Sequence, residues 1–281
     1  MVRVEPVWHK VLEAVGDPAR TDIIYVLGGV DTGKTTFCGF LREKLGPLAP
    51  TAFIDCDPGQ SIIGPPATVG GMLANGEIRL CFVGSTSPLG HLLQTVSGIK
   101  KHTEWALERG ARKLILDSSG FVSGAGATEF QFQAIDLVRP THIVAFQRGL
   151  ELESVLANFS ASLQIHRLMV PKAIIPRTVA QRQAYRRERF RHYLQNASLQ
   201  ELAMEGLGVH GMVPEELADR SRQLLVALCD SEAFVIVLGI VEAIDPEKGR
   251  ITLNSPPFDA QQVRSIQFGS QRLDRSGREL P

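Results

Sequence analysis

The stretch VLGGVDTGKTTFCGFL, Val26 to Leu41, constrains the fold more than any other part of this sequence. An apolar run ends on Gly28, four residues intervene, and then Gly33, Lys34 and Thr35 lead into an amphipathic segment. Glycines let a backbone turn tightly and aim successive N–H groups at one anion. A helix starting there adds its positive end. Set between a strand and a helix, this spacing is that of a phosphate-binding loop. It assigns Gly28, Gly29, Asp31, Thr32, Gly33, Lys34, Thr35 and Thr36 to a nucleotide. Lys34 is expected on the β- and γ-phosphates and the Thr35 hydroxyl on Mg²⁺.

Such a loop needs a sheet around it, and the sequence supplies the strands. TAFIDCD, RLCFVGS, RKLILDSSG, THIVAF and RLMV are short runs rich in apolar and β-branched residues. Helical spacing is predicted over Pro6–Val15, Leu89–Arg109 and Ala127–Leu137, in alternation with the strands. That order predicts an α/β fold, a P-loop NTPase-type parallel sheet with helices on both faces. Its ligand edge lies at the strands' C-terminal ends, where the polar residues collect. An arginine-rich helix, Thr178 to Gln195, closes a first domain of residues 1–195. Residues 196–281 read as a small, mainly β C-terminal domain. There, FVIVLGIVEAIDPEKGRITLNSPP predicts a hairpin, Pro214–Cys229 a helix, and GSQRLDRSGRELP a loose tail.

A metal beside the loop also needs a carboxylate at a neighbouring strand end. Asp55 and Asp57 follow one strand and Asp117 another, and position alone lets either strand supply it. Two acids at i and i+2 can also divide the work, one on the metal and one taking a proton from an attacking hydroxyl, which fits Asp57. RTVAQRQAYRRERFRHY gathers Arg177, Arg182, Arg186, Arg187, Arg189 and Arg191 against Glu188. Arg182 and Arg186 are i and i+4 and share a helix face. Guanidinium forks suit phosphate oxygens, so this helix is a candidate lid; a solvated basic face is the alternative, and Arg187 can replace Arg186 in the role. Lys100, Lys101 and His102 read as a solvent face.

Over its 281 residues the formal net charge is zero, so any attraction to a polyanion must be local. Four widely spaced cysteines with no CxxC pair predict reduced thiols and a cytoplasmic protein. The N-terminus lacks the apolar core of a signal peptide. The longest apolar run, Ala233 to Val241, falls far short of the roughly 20 residues of a membrane helix.

Four blocks in order, GGVDTGKTT, FIDCDPGQSIIGPPATVG, FVGSTSPLGH and DSSGFVSGAGATEFQFQAIDLVRPTHIVAF, resemble the polynucleotide 5′-hydroxyl kinases. These are RNA kinases related to a subunit of the pre-mRNA cleavage factor and to ribosomal-RNA-processing kinases. The resemblance spans about Tyr25 to Tyr193. It implies transfer of the γ-phosphate of ATP or another NTP, with Mg²⁺, to the 5′-OH of RNA or DNA. It implies that Asp57 activates that hydroxyl, that Gln60, Thr86, Ser87 and Pro88 lie near the acceptor, and that Ser119, Gly120 and Phe121 form a clasp on the terminal nucleotide. Arg182 and Arg186 match its lid. The family's eukaryotic members carry a β-rich N-terminal domain, whereas about 20 residues precede the first strand here. Asp117 stands where some relatives have Asn, so its role is not carried over. A silent nucleotide-bound scaffold and a small-molecule kinase are the competing readings; a GTPase-like regulator would need an Asn-Lys-x-Asp string that the sequence lacks.

Overall fold

The structure is a computed structural model that describes residues 5–171, 174–212 and 220–281. The chain forms two compact units. One comprises Met1–Asp57, Val69–Ile78 and Pro88–Arg177; the other comprises Pro58–Thr68, Arg79–Ser87 and Thr178–Pro281. This division departs from the expected boundary at 195/196, because the arginine-rich helix and two earlier segments group with the C-terminal residues.

The first unit is built on β1 (Asp22–Gly28), β2 (Thr51–Asp55), β3 (Thr68–Met72), β5 (Lys113–Asp117), β6 (His142–Gln147) and β7 (Gln164–Met169). They lie side by side in the order β3-β2-β5-β1-β6-β7. Five run parallel, with α2 (Lys34–Leu45), α3 (Leu92–Glu108), α4 (Ala125–Val138) and the short α5 (Glu153–Leu156) as crossovers. Between their polar ends the central strands are apolar because both faces are buried: Ile24, Val26, Leu114, Leu116 and Val144 are fully covered. α1 (Pro6–Val15) adds Trp8, packed edge-on against Phe37.

β3, which pairs antiparallel to β2 with Asp55 opposite Gly70, is not among the strands expected from the sequence. Its TVGGM carries neither alternation nor bulk. The glycines are there for packing: a Cβ on Gly71 would stand 3.0 Å from the Trp105 ring and closer still to His102. His102 is therefore buried under α3, its Nδ1 2.9 Å from Gly98 O, rather than on the expected solvent face.

In the second unit, RLCFVGS supplies β4 (Ile78–Phe82), and α6 spans Val179–Tyr193, started by a reciprocal Thr178–Gln181 capping box. β8 (Ser198–Ala203), β9 (Gly208–His210), β10 (Leu224–Cys229), β11 (Val235–Asp245), β12 (Arg250–Ser255), β13 (Ser265–Leu273) and β14 (Glu279–Leu280) follow. They form a sheet ordered β14-β13-β10-β11-β12-β8, with β9 beside β13. One core gathers Val226, Leu228, Ile251, Leu253 and Ile266; another seats Phe190 of α6 and Leu194, which caps it, on Leu225, Leu238 and Leu273. Those two apolar residues are why the arginine-rich helix belongs to this unit.

Two expectations are corrected here. The helix expected over Pro214–Cys229 is, from Leu224 onward, the buried strand β10; residues 213–219 lie outside the described residues. The tail expected to be loose is strand, with Arg272 and Leu273 pairing antiparallel to Leu280 and Glu279. The four cysteines are free and buried, and among the described residues no helix is long and apolar enough to cross a membrane.

Candidate functional site

β1 brings the chain to the loop in mid-sheet: Val26 pairs with Asp117 of β5, and Gly28 with Phe146 of β6. Gly28 has no room for a side chain, since a Cβ would lie 2.9 Å from Phe146 O and 2.9 Å from Thr32 Oγ1. Gly33 starts α2 at φ 95°, the left-handed region that glycine enters without steric cost. Asp31 also has positive φ, at 51°, and its carboxylate accepts from the Arg177 backbone N at 2.8 Å. The Gly29 carbonyl accepts from Thr32 Oγ1 at 2.9 Å and from Lys34 Nζ at 2.8 Å, so the lysine folds back on its own loop. Thr36 is exposed in the first helical turn. Burial lowers the Lys34 pKa, against the opposing charges of Asp117 and Asp57.

Asp117 is the last residue of β5. Its Oδ2 accepts from Thr35 Oγ1 at 2.6 Å. Its Oδ1 is buried and has no hydrogen-bond partner among the described residues, and the same holds for Ser119 Oγ. Burial pushes the Asp117 carboxyl up to about 6, although Lys34 and the Thr35 hydrogen bond pull it down. A buried oxygen without a donor costs about 1–3 kcal/mol, more when charged. A hydroxyl beside a carboxylate with an oxygen to spare matches the donor chemistry of Mg²⁺, which takes one or two carboxylates plus phosphates. Among the described residues there is no larger cluster of His, Cys, Asp or Glu.

Asp55 sits level with Asp117 in the β2–β5 ladder and is 2% exposed. Its Oδ1 accepts from Asp57 N at 3.3 Å, so it shapes the turn that carries Asp57. Asp57 is half-buried, and its Oδ2 lies 3.4 Å from Gly120 N. Gly120 itself passes so near the phosphate loop that a Cβ would stand 2.9 Å from Val30 N. Phe121 is half-buried with its ring tilted 6.1 Å from Phe130, so it is partly a core residue. Its carbonyl accepts from Gln131 Nε2 at 2.9 Å, and Gln131 Oε1 in turn accepts from the buried Tyr25 hydroxyl at 2.8 Å. Neither Tyr25 nor Gln131 is among the residues expected at the site. The available signal is a glutamine on the apolar stripe Ala127, Phe130, Ala134, Ile135 and Val138 of α4. The first unit thus gathers Lys34, Thr35, Asp117, Asp57 and Gly120.

The other candidates lie in the second unit. Gln60 is half-buried, with Nε2 on Gly59 O at 2.7 Å. Ser87 is exposed, and its N donates to Ser85 Oγ at 3.2 Å. Arg182 is half-buried on α6. Thr86 Oγ1 donates to Glu279 Oε1 at 2.8 Å. The same carboxylate takes the Arg186 fork, Nε at 2.9 Å and Nη2 at 2.7 Å. Glu279, missed in the sequence because the tail reads as loose, therefore joins an expected acceptor residue to an expected lid residue. Further along α6, Tyr185 OH donates to Ser61 O at 2.8 Å and Arg189 Nη2 to Ile62 O at 3.1 Å. Arg189 thus holds the segment after Gln60.

A mostly parallel sheet with a Gly-rich loop after its central strand, and the next strand's carboxylate on the loop threonine, defines a protein of the P-loop nucleotide-binding class. The chain belongs to the family described as mRNA cleavage and polyadenylation factor CLP1 P-loop, which matches residues 28–196. It is similar to the polyribonucleotide 5′-hydroxyl-kinase of Methanocaldococcus jannaschii, at 26% identity over 96% of this chain and 92% of that one. The Thermococcus kodakarensis polyribonucleotide 5′-hydroxyl-kinase is also 26% identical, over 96% and 93%. One from Pyrococcus furiosus is 31% identical over 50% of this chain and 42% of its own. In fold the chain resembles a solved chain of a wild-type Clp1p–Pcf11p complex, with TM-score 0.72 and 12% identity, covering 94% of this chain and 77% of that one.

Proposed function

We propose that the chain is a polynucleotide 5′-hydroxyl kinase that moves the γ-phosphate of ATP, or another NTP, to the 5′-OH of RNA or DNA. The observation that carries this reading is the Thr35–Asp117 pair, with its spare buried carboxylate oxygen beside a buried loop lysine and with Asp57 near enough to bias both charges. Thr35 and Asp117 would hold Mg²⁺, which when bound neutralises charge on the β- and γ-phosphate oxygens. Lys34 exchanges its bond to Gly29 O for the same oxygens. Asp57 takes the proton of the 5′-hydroxyl; the 5′ oxygen bonds to the γ-phosphorus as the bridging bond breaks and the nucleoside diphosphate leaves. Asp55 holds the turn under Asp57. Ser119, Gly120 and Phe121 grip the terminal nucleotide, Gln60, Thr86 and Ser87 meet the acceptor, and Arg182 and Arg186 steady the moving phosphoryl group. Arg186 holds Glu279 through Nε and Nη2, which leaves Nη1 without a hydrogen bond among the described residues. The names of the relatives support a polynucleotide acceptor, and buried free thiols support a reducing, cytoplasmic setting.

The test is transfer of label from γ-labelled ATP with Mg²⁺ to a 5′-OH oligonucleotide. Wild type is expected to label it, and Asp57→Asn and Lys34→Ala are each expected to lose about 10²–10⁴-fold, the range for a positioned proton acceptor or a preorganised charge. Label on nucleosides alone would replace this reading with a small-molecule kinase, and ATP binding without transfer would replace it with a scaffold.

A further inference from the structure

Within the second unit a groove of about 680 Å³ is lined by α6 and by the turn into β14. One wall is the helical stripe Gln183, Arg187 and Arg191; Arg278 and Glu279 stand in the other. Among the described residues Ala184 is the one apolar side chain lining it, so the groove is built for a polar, charged occupant. Its carboxylates already have arginine partners. Glu188 takes Arg191 at 2.7 Å and Glu279 takes Arg186 at 2.7 Å, while Arg278 of the lining is held at 3.2 Å by Asp274. Arg187 is the cation in excess: among the described residues its hydrogen bond is to the neutral Ser276 Oγ, at 3.4 Å. The Arg191 and Arg278 pairs are surface pairs, with both guanidinium groups more than half exposed. Such pairs are weak and salt-screened, and each uses one edge of a five-donor fork, so a phosphate can share the arginine. The groove is also continuous with the expected acceptor residues of its own unit, because Glu279 lines it and holds both Thr86 and Arg186.

We infer that this groove carries the phosphodiester backbone of the acceptor polynucleotide, beyond its 5′-terminal nucleotide. The inference rests on the proposed kinase reading and gives the C-terminal strands a part in it. It predicts that affinity grows with acceptor length and that the added affinity falls with salt, since each phosphate neutralised releases counterions.

The experiment compares wild type with Arg191→Gln/Arg278→Gln on a 5′-OH dinucleotide and on a single strand of about twenty nucleotides, over a salt series. The variant is expected to raise KM for the long acceptor about tenfold. Its log KM against log salt slope should fall by about 1.4, at about 0.7 per phosphate contact in a single strand. KM for the dinucleotide and for ATP should stay put, which also reports an intact fold. Arg191→Lys/Arg278→Lys, which keeps the charge, should keep most of the slope. An unchanged KM for the long acceptor, or an equal change for both lengths, overturns the inference. Should wild type label no oligonucleotide at all, the kinase reading falls, and fluorescence anisotropy of the same labelled strand decides the groove. A tenfold weaker complex with the Gln variant supports it, and equal affinity overturns it.

Discussion

At each end of the first unit's sheet a buried lysine sits with a buried aspartate, Lys113 with Asp22 and Lys34 with Asp117. Where the strands begin, Lys113 donates to Asp22 Oδ2 and, at 2.7 Å, to Asp17 O. Asp22 also takes Arg20 Nε at 2.7 Å and lies 3.4 Å from both Thr141 Oγ1 and His142 Nε2; His142 Nδ1 meets His166 Nε2 at 3.1 Å. Where the strands end, Lys34 has a loop carbonyl, and Asp117 has the Thr35 hydroxyl and one oxygen without a hydrogen-bond partner among the described residues. Burial pushes both aspartates up, but at the first edge hydrogen bonds from Lys113 and Arg20 outweigh it and hold Asp22 below the usual carboxylate range, whereas Asp117 stays at about 6. The same residue types thus serve two ends. Matched charges fix the sheet, and unmatched charge is kept where a ligand can complete it.

The largest test of that contrast removes the structural lysine. Lys113→Met fills similar space but leaves the buried Asp22 with the partly exposed Arg20 as its full countercharge among the described residues. Breaking a buried pair on one side costs about 3–5 kcal/mol. Urea unfolding should show that loss, and a loss below about 1 kcal/mol would mean the two edges do not differ as argued.

The sequence shows much of this, unevenly. The phosphate loop is legible because its glycine spacing is dictated by backbone geometry that few other residues can satisfy. The parallel strands are legible because burial on both faces leaves unbroken apolar runs. β3 is hidden because its glycines answer to the rings of His102 and Trp105, which are distant in sequence. β14 is hidden because two residues carry no period at all; their order comes from pairing with Arg272 and Leu273. Glu279 is lost with it. The choice between Asp55 and Asp117 is open in the sequence, since both close a strand; in the structure the Thr35 hydroxyl bonds to Asp117, and the proposed metal role follows that bond. The Asp22–Lys113 pair is invisible because neither residue sits in a motif.

The second test goes to the other edge. A carboxyl raised from 3.8 to about 6 corresponds to about 3 kcal/mol against the folded state at neutral pH. Between those two values the folded protein holds a proton that the unfolded chain has released, so Asp117 makes stability fall as pH rises, and the loss levels off above about 6. Asp22 works the other way: its stabilisation is present above the unfolded pKa and is lost as pH falls through its lowered folded value. Asp117→Asn should therefore stabilise the metal-free protein by about 1–3 kcal/mol at pH 7 and by nothing measurable near pH 3.5, while transfer activity collapses. Thermal unfolding across pH checks this, and a uniform change at all pH values would assign the effect to packing.

A third, smaller effect follows in the wild type. Below about pH 6 a proton competes for the Asp117 carboxylate, so a cation bound there must displace it. The Mg²⁺ concentration giving half-maximal transfer should rise by up to tenfold per pH unit below about 6 and stay level above it. If the Mg²⁺ demand ran flat down to pH 5, Asp117 would not be a metal ligand.

The smallest expected change is at the matched edge. Arg20→Ala removes a 2.7 Å bond to Asp22, yet the guanidinium is 44% exposed, and water takes up part of what the bond supplied. Lys113, which is fully buried, still faces the carboxylate. The loss should therefore be about 0.5–1 kcal/mol, in the range of exposed pairs rather than buried ones. The two substitutions should not add. With Lys113 already replaced by Met, Arg20 is the remaining full charge on a buried carboxylate, and removing it should cost more than it does in wild type by about 1 kcal/mol or more. That excess measures how far the edge shares its charge among partners. A strictly additive double variant would mean that Asp22 leans on Lys113 alone, and the redundancy separating this edge from the one around Asp117 would be absent.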